Sequence, residues 1–370
     1  MASGSEFGKI LRLTTWGESH GAGIGAVLDG FPAGMDLSEE DIQKYLDRRK
    51  PGQSEISTPR KESDRVEILS GVFDGKTTGT PISLLIRNTS HRSADYGNLK
   101  DCFRPGHADY TYYSKYGFRD YRGGGRASAR ETAGRVAAGA IAAKFLRELG
   151  VDICAFTRAI GPVQIDDKRF DKDLIAKTKT CMPDAEADEQ AMRFLKKCME
   201  EKDSAGGVIE CVITGVPAGI GDPVFDKLDA GIAQALMSIG AVKAVEIGDG
   251  VKAALSTGSQ NNDQFFMADG AVSKYTNHAG GILGGISDGS PIICRAYIKP
   301  TPSIFREQRT VDENGNERTL LIKGRHDPVV VPRAVVVVEC MCALTVLDAM
   351  LSNMTSRADS VRAFYNKRKQ

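Results

Sequence analysis

The sequence predicts a single large domain of the α/β (α+β) class. Its 370 residues are 41% hydrophobic and 26% charged, a balance typical of soluble globular proteins. Segments with strand-like alternation and segments with a helical period follow one another along the whole chain. No internal repeat and no long linker divides them. We therefore expect one domain over residues 8–370.

Two predicted strands, residues 9–16 and 24–29, flank a glycine-rich turn at the start of this domain. A helix follows in "LSEEDIQKYLDRRK", because Ser38 and Asp41 have the spacing of a capping box and apolar residues then recur with a helical period. The next segments, "VEILSGVF" and "ISLLIR", alternate like strands around the connection "DGKTTGTP".

Residues 126–149 form a predicted long helix rich in alanine and glycine, whose small side chains allow another backbone to approach closely. The following segments are predicted as strand, helix, strand, helix and strand in turn: 151–156, 188–201, 207–216, 226–239 and 241–248. Residues 257–291 are glycine-rich with little periodicity, which indicates functional loops. Residues 332–352 contain a β-branched run, but their length and Pro332 favour a buried helix.

Composition excludes several classes of function. The net charge of +1 lacks the basic footprint of a nucleic-acid-binding domain. No charge-free apolar run approaches ~18 residues, so we expect no membrane span. Eight scattered cysteines without C-x-x-C spacing predict reduced, buried thiols in a cytoplasmic protein and no metal site. Residues 1–7 are no secretory signal; we expect them to be flexible or partly derived from a cloning linker.

Three short motifs match by chance. Residues 17–21 fit a serine-hydrolase nucleophile elbow, and residues 21–26 fit a loose dinucleotide fingerprint. Both motifs require a helix directly afterwards, which Gly30 and Pro32 prevent. The P-loop-like segment "GVFDGKT" has Ser70 where the first glycine is required. We expect none of them to be a site.

All five histidines lie in polar or glycine-rich sequence. His91 and His278 are the weaker candidates, and the stronger ones are His20 in "GESHG", His107 in "RPGHAD" and His326 in "GRHDP". A cation and a carboxylate beside a histidine can bring its pKa near neutrality, as general acid–base catalysis requires. The alternative for each is a structural hydrogen bond in a turn. Together the three favour a catalytic site.

Arginines are concentrated in two places, although the chain as a whole is nearly neutral. They lie at and after the first predicted helix (Arg48, Arg49, Arg60, Arg65) and around "YRGGGRASAR" (Arg119, Arg122, Arg126, Arg130, Arg135). Backbone N–H groups at a helix start and guanidinium groups both favour phosphate or carboxylate. In the glycine-rich "AGGILGGISDGSPI", the lack of side chains lets the backbone approach a flat ligand, and Lys299 brings a cation to the same place. A solvated charged surface is the alternative, but the combination predicts a pocket for a small, multiply anionic ligand.

Taken together, these segments resemble the chorismate synthase family. The motifs "GESHGAGIGAVLDG", "RPGHADYTY", "YRGGGRASARETAGRVAAGAI", "GGILGGISDG", "KPTPS" and "GRHDP" follow that family's order over residues 8 to about 350. The resemblance implies a β-α-β sandwich with an internal helical layer, in which segments 126–149 and 332–352 fit as inner helices. It also implies a homotetramer.

The implied reaction is a trans-1,4-elimination that converts 5-enolpyruvylshikimate 3-phosphate to chorismate and phosphate, the last step of the shikimate pathway, which leads to aromatic amino acids. It requires reduced FMN although there is no net redox change. Whether such an enzyme reduces its own flavin with NADPH stays open. An FMN-binding protein without lyase activity is the alternative, and a serine hydrolase acting through Ser19 is a distant third.

The resemblance also implies roles for individual residues. His20 matches the histidine that protonates the departing phosphate, His107 one beside the flavin, and Asp327 an aspartate associated with flavin N5. Ser19 and Ser128 match serines that assist proton transfer. The positions matching the FMN site are Arg126, Ala127, Ser128, Gly240, Ala241, Gly284 or Gly285, Lys299, Pro300, Thr301, Pro302, Ser303 and Arg325.

For the substrate, the matching residues are Arg49, Arg130 and Arg325, together with His20. Guanidinium groups pair with phosphate and carboxylate in a bidentate manner, which suits this substrate. One position departs from the pattern of some relatives: Glu55 stands where they carry a second basic residue. The contact that a basic residue would make there with an anionic ligand or a reduced nicotinamide is therefore not carried over to this chain.

Overall fold

A computed structural model describes residues 4–52, 62–89, 99–322 and 327–367. Its framework is two five-stranded antiparallel sheets. The first sheet contains, in spatial order, β1 (Glu6–Phe7), β2 (Arg12–Gly17), β3 (Gly23–Asp29), β7 (Ile82–Arg87) and β4 (Val66–Ser70). The second contains β11 (Val242–Ile247), β16 (Ile292–Ile298), β10 (Gly207–Thr214), β8 (Asp152–Ile160) and β9 (Val163–Gln164).

The helices are α1 (Glu39–Arg49), α2 (Asp109–Tyr116), α3 (Thr132–Glu148), α4 (Ala185–Glu200), α5 (Leu228–Met237), α6 (Gly258–Asn261), α7 (Val331–Asn353) and α8 (Ala358–Lys367). The described structure also contains four small hairpins: β5 (Val72–Phe73) with β6 (Lys76–Thr77), β12 (Phe265–Ala268) with β13 (Ala271–Lys274), β14 (Ile282–Leu283) with β15 (Ile286–Ser287), and β17 (Gln308–Val311) with β18 (Glu317–Leu320).

Helices α3 and α7 form the centre of the molecule. Helix α3 packs against β2, β3 and β7 of the first sheet, and α7 packs against β8 and β10 of the second. The two helices also pack extensively against each other, and α1 and α5 lie beside them. The predicted sandwich with an internal helical layer is confirmed. Helix α7 is apolar and long enough to cross a membrane, but 72% of its apolar window is buried inside this fold.

Gly139 explains how closely the two central helices approach. A Cβ atom at this position would lie 2.3 Å from the Cβ and 2.8 Å from the Cα of Cys340, distances that no side chain tolerates. Helix α3 therefore presents bare backbone to α7. This is the close approach that the alanine- and glycine-rich composition of the segment predicts.

Most predicted elements are present, with corrections at their ends. The capping box of α1 is confirmed: the Ser38 amide donates to Asp41 Oδ2 at 3.0 Å, and the Ser38 hydroxyl lies 3.1 Å from the same oxygen. The long helix does not begin at residue 126 as predicted: two 3₁₀ turns, Gly125–Ala127 and Ala129–Glu131, precede Thr132. Ser128, with extended backbone at φ −74° and ψ 143°, separates them.

Two further segments differ from expectation. Residues 257–291, predicted as loops, contain α6 and two hairpins. Within the N-terminal segment 1–7, Glu6 and Phe7 pair with Thr14 and Leu13 to form β1.

Candidate active site

Ser19 and His20 lie in the tight connection between β2 and β3. The Ser19 hydroxyl is 3.1 Å from His20 Nδ1, and Ser19 is almost completely buried. Strand β3 begins at Gly23, so the chain forms a hairpin here with no helix after the turn. The nucleophile elbow and the dinucleotide fingerprint both lack the helix that they require. The P-loop-like segment likewise forms the β5–β6 hairpin.

His107 is fixed by a buried carboxylate. Its Nδ1 lies 2.9 Å from Asp109 Oδ1, and Arg104 contacts both Asp109 oxygens at 2.7 Å. Burial raises the pKa of Asp109, but the hydrogen bonds from Arg104 and His107 outweigh it and hold that pKa far below its usual range. We call Ser19, His20, Arg104, His107 and Asp109 the histidine cluster.

Gly123 connects the two halves of this cluster. Its carbonyl accepts a hydrogen bond from Arg104 Nη2 at 3.2 Å. On its other side, a Cβ would lie 2.2 Å from His20 Nδ1 and 3.1 Å from Ser19 Oγ. The "GESHG" and "RPGHAD" motifs therefore meet at the glycine run of "YRGGGRASAR".

The segment Lys299–Ser303 reaches the same place from the second sheet. Lys299 Nζ donates to the carbonyl of Gly106 at 2.6 Å, and its backbone N–H donates to Ala241 at 2.9 Å. A Cβ on Gly106 would lie 3.1 Å from Pro302. Ala241 and the "KPTPS" segment are therefore connected to Gly106, the residue that precedes His107.

A second group of charged side chains lies around Asp64. The carboxylate is completely buried; Arg49 contacts it at 2.5 Å through Nη2, and Arg130 Nη1 binds its other oxygen. Both arginine side chains are at most 4% exposed. Burial raises the pKa of Asp64, but the two guanidinium groups dominate and lower it to about 2.

Asp327 joins this group through Arg333, near the start of α7. Arg333 Nη1 binds Asp327 Oδ2, and Arg333 Nε donates to the carbonyl of Arg49 at 3.1 Å. Burial lowers the pKa of the Arg333 guanidinium. We call Arg49, Asp64, Arg130, Asp327 and Arg333 the arginine cluster.

The segment between Gly123 and Arg130 links the two clusters. Ser128 accepts a hydrogen bond from the amide of Arg130 at 3.2 Å, and Arg49 Nη1 donates to Ala129 at 3.3 Å. A Cβ on Gly124 would lie 3.0 Å from Ser128. Ser128 thus stands between the histidines and the arginines.

Other predicted residues have different surroundings. The guanidinium of Arg126 donates to Thr15 Oγ1 at 2.7 Å and to the Gly17 carbonyl at 3.2 Å, so it fastens the 3₁₀ turn to β2. A Cβ on Gly285 would meet Lys227 and Asp222, which lie at the entry to α5 rather than in either cluster. A Cβ on the neighbouring Gly284 would meet open space. Arg325, His326 and Glu55 lie outside the described residues.

Sequence reasoning missed the residues that hold the site together, chiefly Asp64 and Arg333. It also missed a convergence of three thiols: the sulfurs of Cys211, Cys294 and Cys342 lie within 4.8 Å of one another. All three are fully buried, and hydrogen bonding to neighbouring thiols together with burial raises the pKa of Cys211 well above its ordinary value. Neutral thiols packed in the core fit this environment, because three thiolates would bury uncompensated charge.

Comparison with known proteins gives consistent matches along the chain. Residues 11–351 match the family model described as chorismate synthase. The chorismate synthase of Lachnoclostridium phytofermentans is 61% identical over 366 residues, covering 99% of this chain and 100% of that protein. That of Methanococcoides burtonii is 55% identical over 351 residues, covering 94% and 96%. A solved structure described as "Crystal Structure of Chorismate Synthase" gives a TM-score of 0.76 at 35% identity, covering 97% of both chains.

Proposed function

The chain belongs to the chorismate synthase family, whose reaction forms chorismate in the shikimate pathway, and on that premise we propose its mechanism. It converts 5-enolpyruvylshikimate 3-phosphate to chorismate and inorganic phosphate by trans-1,4-elimination, in which the C–O bond to phosphate and one ring C–H bond break and a second ring double bond forms. The observation that carries the proposal is the junction at residues 123–130, which joins two buried arginines to two histidines. A substrate with a phosphate and two carboxylates needs both anion recognition and proton transfer.

The arginine cluster supports binding of the anionic groups. Arg49 and Arg130 converge on one place from α1 and from the turn before α3. In surroundings of low dielectric, guanidinium groups bind phosphate and carboxylate strongly and in a fixed orientation. We assign them to the substrate, together with Arg325.

The histidine cluster supports proton transfer. In this assignment His20 donates a proton to the phosphate oxygen as the C–O bond breaks, and Ser19, at 3.1 Å, orients the imidazole. His107 is oriented by Asp109 in the way that a carboxylate fixes a catalytic imidazole. Ser128 relays protons between the clusters, and Arg333 directs the carboxylate of Asp327.

Reduced FMN is the cofactor in this proposal; when bound, it lends an electron to the substrate and recovers it, so no net redox change results. The segment Lys299–Ser303 fits a polar ligand, because Thr301 Oγ1 is buried and has no hydrogen-bond partner among the described residues. Gly240 and Gly284 leave open space where other residues would carry a Cβ. These residues, with Ala241, Gly285, residues 126–128 and Arg325, would hold the flavin.

We propose a cytoplasmic homotetramer. The β12–β13 hairpin supports association, because Phe265, Met267 and Val272 expose apolar side chains on it, with Met267 directly opposite Val272. Eight free cysteines suit a reducing compartment.

The test is an anaerobic assay with 5-enolpyruvylshikimate 3-phosphate and chemically reduced FMN, following phosphate and chorismate together. Equal release of both products, absent with oxidised FMN, is expected. A folded protein that binds FMN but releases neither product would instead be an FMN-binding protein without lyase activity. Repeating the assay with oxidised FMN and NADPH tests whether the enzyme reduces its own flavin.

A further inference from the structure

We propose that Asp64 is a positioning residue that sets the geometry of Arg49 and Arg130 for the anionic groups of the substrate. The inference rests on the proposed function, since it concerns how the assigned substrate arginines are held. Asp64 itself is fully buried and is given no contact with the ligand.

Both oxygens of Asp64 are used for this purpose. Arg49 approaches Oδ2 through Nε at 3.2 Å and Nη2 at 2.5 Å, while Arg130 binds Oδ1. One carboxylate thus fixes two guanidinium groups that come from different parts of the chain. Two adjacent buried cations would otherwise repel each other strongly.

The carboxylate is itself rigidly placed. Asp64 has a left-handed backbone with φ of 47°, which aspartate and asparagine adopt more readily than most residues. Its carbonyl accepts a hydrogen bond from Gln43 Nε2 on α1 at 3.3 Å, and the same Gln43 accepts from the amide of Val66 at 3.1 Å. Helix α1 therefore carries both Arg49 and the side chain that holds the backbone of Asp64.

The arrangement leaves hydrogen-bonding capacity for a ligand. A guanidinium has five N–H groups. Within the described part of the chain, Arg49 directs two to Asp64 and one to Ala129, and Arg130 directs one each to Asp64, Asn88 and the Arg87 carbonyl. Two N–H groups on each arginine are therefore left for a ligand. Arg49, Arg130 and Asp64 together carry a net charge of +1.

The experiment compares Asp64→Asn and Asp64→Glu with wild type and with Asp184→Asn. Asparagine keeps the shape and the backbone conformation but removes the charge; glutamate keeps the charge and displaces it by one methylene. Asp184 is a matched control, because it is also a buried carboxylate bound to an arginine, Arg169 at 2.9 Å, and caps the remote helix α4. Steady-state kinetics with reduced FMN is combined with calorimetric binding of 5-enolpyruvylshikimate 3-phosphate in the absence of reduced flavin.

We expect both Asp64 variants to raise KM and the substrate Kd by ~10-fold or more with a smaller effect on kcat, because the arginine contacts are made in ground and transition states alike. Asp184→Asn should lower Tm and leave KM unchanged. Unchanged KM and Kd in folded Asp64 variants overturn the inference. Tighter substrate binding by Asp64→Asn also overturns the inference. That result is expected if Asp64 acts only through its negative charge, because removing the charge would make the site more attractive to an anion.

Two outcomes separate the inference from the proposed function. If wild type binds the substrate but does not turn it over, the proposed reaction fails while the binding comparison still decides the role of Asp64. If wild type turns over and the Asp64 variants match it, only the positioning role fails. Should Asp64→Asn not fold, Asp64→Glu, which keeps the negative charge but displaces it, supplies the same comparison.

Discussion

Gly123 stands against the imidazole of His20, at a point where no side chain fits. A Cβ built on Gly123 would lie 2.2 Å from His20 Nδ1 and 2.3 Å from Cε1. The carbonyl of the same residue is held by Arg104 Nη2 at 3.2 Å. The position of His20 is thereby tied to the buried pair of Arg104 and Asp109, and through that pair to His107.

Replacing Gly123 with alanine should therefore damage catalysis more than folding. The methyl group must push the ring of His20 away from Ser19, and displacement of a catalytic group by about 1 Å can cost ~10²-fold in rate. We expect turnover to fall by at least ~10-fold with little change in Tm. Gly258→Ala is the control, because a Cβ there meets open space in the short helix α6. Equal turnover rates for Gly123→Ala and Gly258→Ala would contradict the close contact between Gly123 and His20.

Replacing either histidine of the cluster with alanine should remove proton transfer without removing the flavin site. We expect His20→Ala and His107→Ala each to lower turnover by ~10²-fold or more, since general acid–base catalysis contributes about that factor. FMN binding, measured by flavin fluorescence, should persist in both variants.

His278→Ala is the matched control for these variants. His278 also pairs with a carboxylate, at 2.7 Å from Asp249 Oδ2, but belongs to the loop before β14. Its removal should leave turnover within ~3-fold of wild type. Near-normal rates in both His20→Ala and His107→Ala would refute the assigned roles.

Elements whose signals lie within their own segment could be predicted from sequence. The capping box of Ser38 and Asp41 starts α1 without help from the rest of the chain, and Pro332 lies in the first turn of α7. The start of α3 could not be predicted, because contacts from Arg126 to distant β2 stabilise the turns before it. Strand β16 was missed, although its alternating buried residues over Ile292–Ile298 carry a usable signal.

In the candidate site, sequence motifs predicted the residues assigned to catalysis and binding, but not the residues that position them. Asp64 lies 15 residues from Arg49 and 66 from Arg130, and no local pattern connects such distances. Arg333 lies in an apolar helix, and its charge indicates that it has a partner but does not identify Asp327 as that partner. Long-range ion pairs of this kind are set by the packing of α1, α3 and α7, which a single sequence does not reveal.

The contact between Gly139 and Cys340 gives a prediction about stability. Glycine to alanine inside a helix normally stabilises by about 1 kcal/mol, but here the new methyl would lie 2.3 Å from Cys340 Cβ. We expect Gly139→Ala to lower the free energy of unfolding by about 2 kcal/mol in urea titrations, since overpacking costs 1–3 kcal/mol, roughly. Gly231→Ala in α5, which would meet only the Thr345 methyl at 3.3 Å, should stay within about 1 kcal/mol of wild type. A stabilised Gly139→Ala would contradict this packing.

Ionisation of Asp64 should make the free energy of unfolding decrease as the pH falls into the acid range. Its folded pKa of about 2 is below the ordinary value of 3.8, so the ionised group contributes stability that is fully present above pH 3.8 and is lost as the pH falls towards 2. A shift of this size corresponds to about 2 kcal/mol. The difference in unfolding free energy between wild type and Asp64→Asn should therefore be largest near neutrality and shrink in acid. Urea titrations between pH 7 and pH 3 measure it; a difference that stays constant over this range would mean that Asp64 is not held ionised by Arg49 and Arg130.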